Sequence, residues 1–148
     1  MNREGIMGAI VNRFNGVAAC YAKYHNATTN LGLRKLIESL LEQEREYSKE
    51  IAEAAAQTTA EHMFKPEAES TAQLENLLTL VSEGKPGTDL EMLKRIRQLE
   101  EQSFTLLDTL HSLSANDDAG FLFGRMKDEE RKHISWITDR IDLLELGG

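Results

Sequence analysis

Residues 126–136 read MKDEERKHISW. Met126, Glu130, His133 and Ile137 recur at three- and four-residue spacing, the signature of one helix face. Leu122, Phe123 and Ile141 extend that stripe in both directions. The face is apolar at its ends, yet its middle carries a carboxylate and an imidazole. Glu130 and His133 are three residues apart, so both side chains can reach one point. The stretch decides the fold class, because a long amphipathic helix needs partners to cover its apolar face.

Working outward, Asn116 caps this helix, with Asp117 and Asp118 in its first turn. The helix is predicted to run to about Leu144. A helix before it carries the stripe Leu93, Ile96, Glu100, Phe104, Leu107, His111. It ends near Ser112, and Thr88-x-x-Glu91 is its capping box. In the first half of the chain, Ile6, Ile10, Phe14, Val17, Ala18 and Tyr21 predict a helix from about Arg3 to His25. Asn30 caps another, from Leu31 to roughly Thr59, with stripe Leu33, Leu36, Ile37, Leu40, Glu44, Tyr47, Ile51.

Between the two halves the pattern loosens. Both prolines of the chain, Pro66 and Pro86, fall here. Glu67 to Ser82 predicts a further helix with Leu74, Leu77, Leu78 and Val81 on its apolar side, closed by Gly84 to Gly87. Short turns force two antiparallel hairpins, and the long middle segment can cross the length of a bundle. The rival is a simple up-down-up-down bundle with an extra helix. Either way the chain is one all-α domain, 1–148.

The hairpins also resemble each other. An offset of 86 positions pairs Ile10 with Ile96, His25 with His111, Asn30 with Asn116, Leu36 with Leu122, Glu44 with Glu130, Arg45 with Arg131 and Ile51 with Ile137. The N-caps and several stripe positions coincide, which implies an approximate twofold between hairpins.

Composition sets the outer limits. The net charge is −8 and the pI about 5.0, which opposes nucleic acid and anionic membranes and favours cations. No apolar run reaches membrane-spanning length, and Asn12, Arg13 and Asn15 break any secretory h-region. The one cysteine, Cys20, permits neither an internal disulfide nor a CxxC metal knuckle, and points to a reducing cytoplasm.

Glu44, Glu100 and Glu130 each stand mid-stripe where a leucine is ordinary. An unpaired carboxylate there costs on the order of several kcal/mol. A bound cation offsets both that cost and the mutual repulsion. The expected site is therefore Glu44, Glu100, Glu130 and His133, converging in the bundle centre. Two bland alternatives stand beside it. The three glutamates pair with an inward Arg or Lys and hold no metal, or a rotated helix puts one on the surface. Tyr21, Tyr47, Cys20 and Met126 read as core residues. His25 and His111 offer a second cation site if they face each other at one bundle end; capping of helix carbonyls is the other explanation. His62 falls in a predicted loop.

In its second and fourth helices the chain resembles the rubrerythrin branch of the ferritin-like family, whose helices read like LAEEERKHAEWL. Here the corresponding stretches are LLEQEREY at 40–47 and MKDEERKHISW at 126–136. The resemblance spans about residues 3–55 and 90–145. It implies a ferritin-like four-helix bundle with a dinuclear metal centre and a homodimeric assembly. Glu100 matches the third-helix glutamate, with Leu107 in the place of the family's tyrosine. Tyr21 keeps the first-helix tyrosine, but Phe14 occupies its glutamate place, and Tyr47 stands where the family has histidine. By the family's scheme one metal takes Glu100 and His133 as terminal ligands, with Glu44 and Glu130 bridging. The other would need ligands that Phe14 and Tyr47 cannot supply. The resemblance thus implies at most one ion per chain, of iron, manganese or zinc. The implied function is iron handling or oxidant defence, as an oxidoreductase of the rubrerythrin type with an incomplete centre. The alternatives are storage or delivery of a single ion, and a metal-free bundle acting as a binding or assembly partner.

Overall fold

The computed structural model describes residues 1–79 and 84–147. Its α-helices are α1 (Arg3–Ala27), α2 (Leu31–Gln57), α3 (Ala60–Met63), α4 (Ala72–Leu78), α5 (Asp89–Ser112) and α6 (Asp117–Glu145), and Pro66–Ser70 forms a 3-10 turn before α4. Among the described residues there is no strand, only an isolated bridge between Phe64 and Ser114.

The helix starts follow from the caps. Asn30 Oδ1 accepts from Leu33 N at 2.9 Å and Asn116 Oδ1 from Ala119 N at 2.8 Å. Both positions related by the 86-residue offset thus cap in the same way. Thr88 Oγ1 accepts from Glu91 N at 3.1 Å and donates to the Glu91 carboxylate at 3.0 Å.

The middle segment departs from the expected single helix. It opens as the 3-10 turn at Pro66, breaks at Thr71, and resumes as α4. The Ser70 and Thr71 hydroxyls both donate to the carbonyl of Glu67, at 3.2 and 2.8 Å, and compete there with the helix ladder. Residues 80–82, the end of the predicted helix with Val81, lie outside the described residues. His62 is not in a loop: it sits in α3, and its carbonyl accepts from Asn116 Nδ2 at 2.9 Å.

The apolar core forms two clusters. One holds Ile6, Ile10 and Phe14 of α1, Tyr47 and Ile51 of α2, Leu106 and Leu110 of α5, and Phe123 and Met126 of α6. The other holds Val17, Tyr21 and Tyr24 of α1, Leu33, Ile37 and Leu40 of α2, Leu93, Ile96 and Leu99 of α5, and Ile137 and Ile141 of α6. Helices α1 and α6 therefore run from the first cluster to the second, and α2 and α5 run back. Within the two halves, α1 packs on α2 and α5 on α6. Because α2 finishes in the first cluster and α5 starts in the second, the segment between them travels the length of the helices. Leu74 and Leu78 of α4 join the first cluster. Gly84, further on, touches α1 in the second. Its φ is +67°, and a Cβ there would lie 3.0 Å from Cys20 Cα, so backbone geometry and space both require glycine.

On α5 the buried face drifts from the predicted stripe. Ser103, Leu106 and Leu110 are buried, Phe104 is half-buried and His111 is exposed. A straight helix turns every 3.6 residues, so a face starting at Leu93 passes through Glu100 and Ser103 to Leu110. Phe104 is left at the margin, with the Arg131 guanidinium 5.3 Å from its ring centre.

Candidate metal centre

Between the two apolar clusters lies a polar layer. Glu44 of α2, Glu100 and Ser103 of α5, and Glu130 and His133 of α6 are all buried there, as is Arg13 of α1. The four helices change cluster at these heights: Glu44, Glu100, Ser103, Glu130 and His133 each lie between the residues of the two clusters, and Arg13 lies beside Phe14 at the edge of the first. Helix geometry fixes this: each residue is on the apolar stripe, so burying the stripe buries the charge with it.

His133 organises the centre. Its Nδ1 lies 3.3 Å from Glu130 Oε1, one turn away on the same helix, and 3.7 Å from Glu100 Oε1 on α5. Ligand atoms of Glu100, Glu130 and His133 all fall within 4.8 Å of one another. Metal–ligand bonds of roughly 2.0–2.2 Å place neighbouring donors about 3–4 Å apart, which the two distances from His133 meet. Glu44, the fourth expected ligand, stands in the same layer but outside that group of three. The bland alternative of a glutamate rotated to the surface is excluded, since Glu44, Glu100 and Glu130 are each 0% exposed.

The layer is short of hydrogen-bond partners. Both carboxylate oxygens of Glu44 and of Glu100, together with Glu130 Oε2, Ser103 Oγ and Tyr21 Oη, are buried without one. Buried polar atoms are ordinarily paired, so such a concentration needs a physical account. A cation between the carboxylates supplies one, and the oxygen-rich donors with one imidazole fit iron, manganese or zinc.

Electrostatics point the same way. Burial raises the Glu44 carboxyl well above its usual range, and the nearby Glu100 and Glu130 charges add to this. Burial and then Glu100 push Glu130 up to about 8 against the opposing pull of His133. Burial alone would lower His133, but the Glu100 and Glu130 carboxylates prevail and raise it to about 10. Without a cation the layer holds its protons; a metal would displace them.

Positions 14 and 47 offer no metal ligand. Phe14 and Tyr47 are fully buried, and their rings meet edge to face with centroids 5.5 Å apart. The Tyr47 hydroxyl donates to the Met126 carbonyl at 3.4 Å. Burial, then the Glu130 charge, raises the Tyr47 phenol, which keeps it neutral and a poor ligand.

The paired histidines are a correction. His25 ends α1 in the second cluster and contacts Glu38 of α2 at 2.8 Å. His111 ends α5 beside the first cluster, next to Lys127 of α6 at 3.5 Å. Because α1 and α5 run in opposite directions, the two rings sit at opposite ends and form no joint site. Arg13 is the residue that sequence reasoning missed. It lies three positions after Ile10 and four before Val17, so its place on the apolar face was open to inspection.

No protein-family model matches the chain, and no curated protein or solved structure matches it.

Proposed function

We propose that this chain is a metal-binding bundle of ferritin-like arrangement that holds one ion at Glu100, Glu130 and His133, with Glu44 as the adjoining carboxylate. One observation carries the reading: three fully buried carboxylates on three helices, five of their six oxygens unpartnered, surround one buried imidazole. A metal-free core gains nothing from such a layer, since replacing it with apolar residues is neutral or stabilising. The opposed ends of α2 and α5 support the single long crossover of ferritin-like folds over an up-down-up-down bundle.

In this reading Glu100 and His133 fix the ion from opposite helices and Glu130 closes the set. Glu44 supplies negative charge beside it and holds or releases a proton. Iron or manganese bound there would provide one-electron chemistry, in keeping with a role in iron handling or oxidant defence of the rubrerythrin kind. The apolar clusters on either side limit water access to the layer. With Phe14 and Tyr47 filling the other half, the site is mononuclear.

Protein produced with added iron, manganese or zinc, then counted by elemental analysis, tests this. One ion per chain is expected, lost in Glu100→Gln and in His133→Asn. Zero ions would overturn the metal reading and leave a metal-free binding or assembly role. Two coupled ions would overturn the mononuclear reading.

A further inference from the structure

Arg13 is 2% exposed, and among the described residues no other Lys or Arg is buried. Its Nε donates to the Leu77 carbonyl at 2.7 Å, which ties the guanidinium to α4. Its Nη1 is buried and has no hydrogen-bond partner. A guanidinium stays charged in proteins, and leaving one of its donors dry is costly. The side chain springs from α1 directly before Phe14, the residue that packs against Tyr47. Arg13 is buried on α1 together with Ile10, Phe14 and Val17, so its charge is enclosed at about the height of the Phe14–Tyr47 contact. Glu44 is the acidic group that acts on it most strongly, followed in the same sense by Glu100 and Glu130.

The charge balance follows from these groups. Glu44, Glu100 and Glu130, when ionised, give the layer three negative charges, and a ligating histidine is neutral. Arg13 cancels one of the three. We propose that Arg13 is a fixed counter-cation, built in at the height of the Phe14–Tyr47 contact, which sets the charge of the accepted ion so that the layer balances a divalent rather than a trivalent cation. This rests on the metal-binding reading above and adds a selectivity determinant to it. Arg13 is a positioning and charge-setting residue, not a ligand.

The test compares Mn2+ with Tb3+, two ions that need no redox partner, by calorimetric titration at fixed pH of the wild-type protein, Arg13→Met and Arg13→Lys. Removing one positive charge should tighten both ions, and the trivalent ion more. The preference for Tb3+ over Mn2+ should therefore rise roughly ten- to fiftyfold in Arg13→Met, taking a separation of about 7–10 Å at an effective dielectric near 20. Arg13→Lys keeps the charge and should stay within about threefold of the wild-type preference. An unchanged preference in Arg13→Met, or equal weakening of both ions, makes Arg13 a packing residue and overturns the proposal. An equal shift in Arg13→Lys also overturns it. If Arg13→Met does not fold, Arg13→Gln is read by the same criteria. Failure of the wild-type protein to bind either ion would remove the metal reading itself. Binding by the wild type with no shift in the variants removes only the role of Arg13.

Discussion

Phe14 and Tyr47 pack edge to face, 5.5 Å between ring centres, at the border of the polar layer and the first apolar cluster. One comes from α1 and the other from α2, related by the 86-residue offset to Glu100 and His133. The contact shows that positions 14 and 47 meet at one place in the bundle, so ligands introduced at both would stand side by side.

Phe14→Glu with Tyr47→His is expected to raise the metal content from one ion per chain to two. Phe14→Glu alone should destabilise the metal-free protein by roughly 3–5 kcal/mol, through lost packing and a further buried carboxylate. Added metal should recover most of that loss in the double variant, because the ion binds only the folded state. Thermal melting with and without metal, plus metal counting, checks this. A double variant with no more metal than the parent would mean that positions 14 and 47 are not the vacated ligand places.

Glu44→Met should separate stability from binding. It removes a carboxyl whose two oxygens lack partners in a fully buried place. The metal-free protein should gain about 1–3 kcal/mol, the desolvation cost of a buried polar group left without a partner. Ion affinity should fall in the same variant. Urea unfolding and metal titration read the two effects; a destabilised metal-free variant would show that Glu44 is paired in solution.

The metal-free protein should be most stable in mild acid. Glu130 is raised to about 8 and His133 to about 10, and Glu44 is raised well above its usual range. A raised group binds its proton more tightly when folded. Its contribution is therefore complete below the unfolded pKa and is lost as pH climbs through the folded one. For Glu130 the loss runs from about 4.5 to about 8, and for His133 from about 6.5 to about 10. The slope is about 1.4 kcal/mol per pH unit for each titrating group. With metal bound the trend should reverse below neutrality, since the ligands must shed protons. Unfolding at pH 5, 7 and 9, with and without metal, decides it; a metal-free protein that is most stable at pH 9 would contradict the electrostatics.

Trp136, the one tryptophan, offers a direct signal. Its ring lies 5.5 Å from that of His133, tilted by 38°. Co2+ or Fe2+ at His133 should quench Trp136 fluorescence saturably, whereas Zn2+ should change it little. His133→Asn should abolish the saturable part. Quenching that survives in His133→Asn would place the ion elsewhere.

Much of this protein is legible along one strand of text. Side chains at three- and four-residue spacing share a helix face whatever the neighbours are, so Glu44, Glu100, Glu130 and His133 had to be buried once their stripes were. Asn30, Thr88 and Asn116 fixed where helices begin, because capping is a contact made within three residues. What needed the third dimension was height and direction. Spacing says which side of a helix faces inward, not which helix stands opposite or which end is up. The relative run of α1 and α5 puts His25 and His111 at opposite ends, and the packing of α4 on α1 gives Arg13 its acceptor at Leu77. Only the assembled helices decided that three carboxylates share one layer with a guanidinium, because only packing brings together charges that lie far apart in the chain.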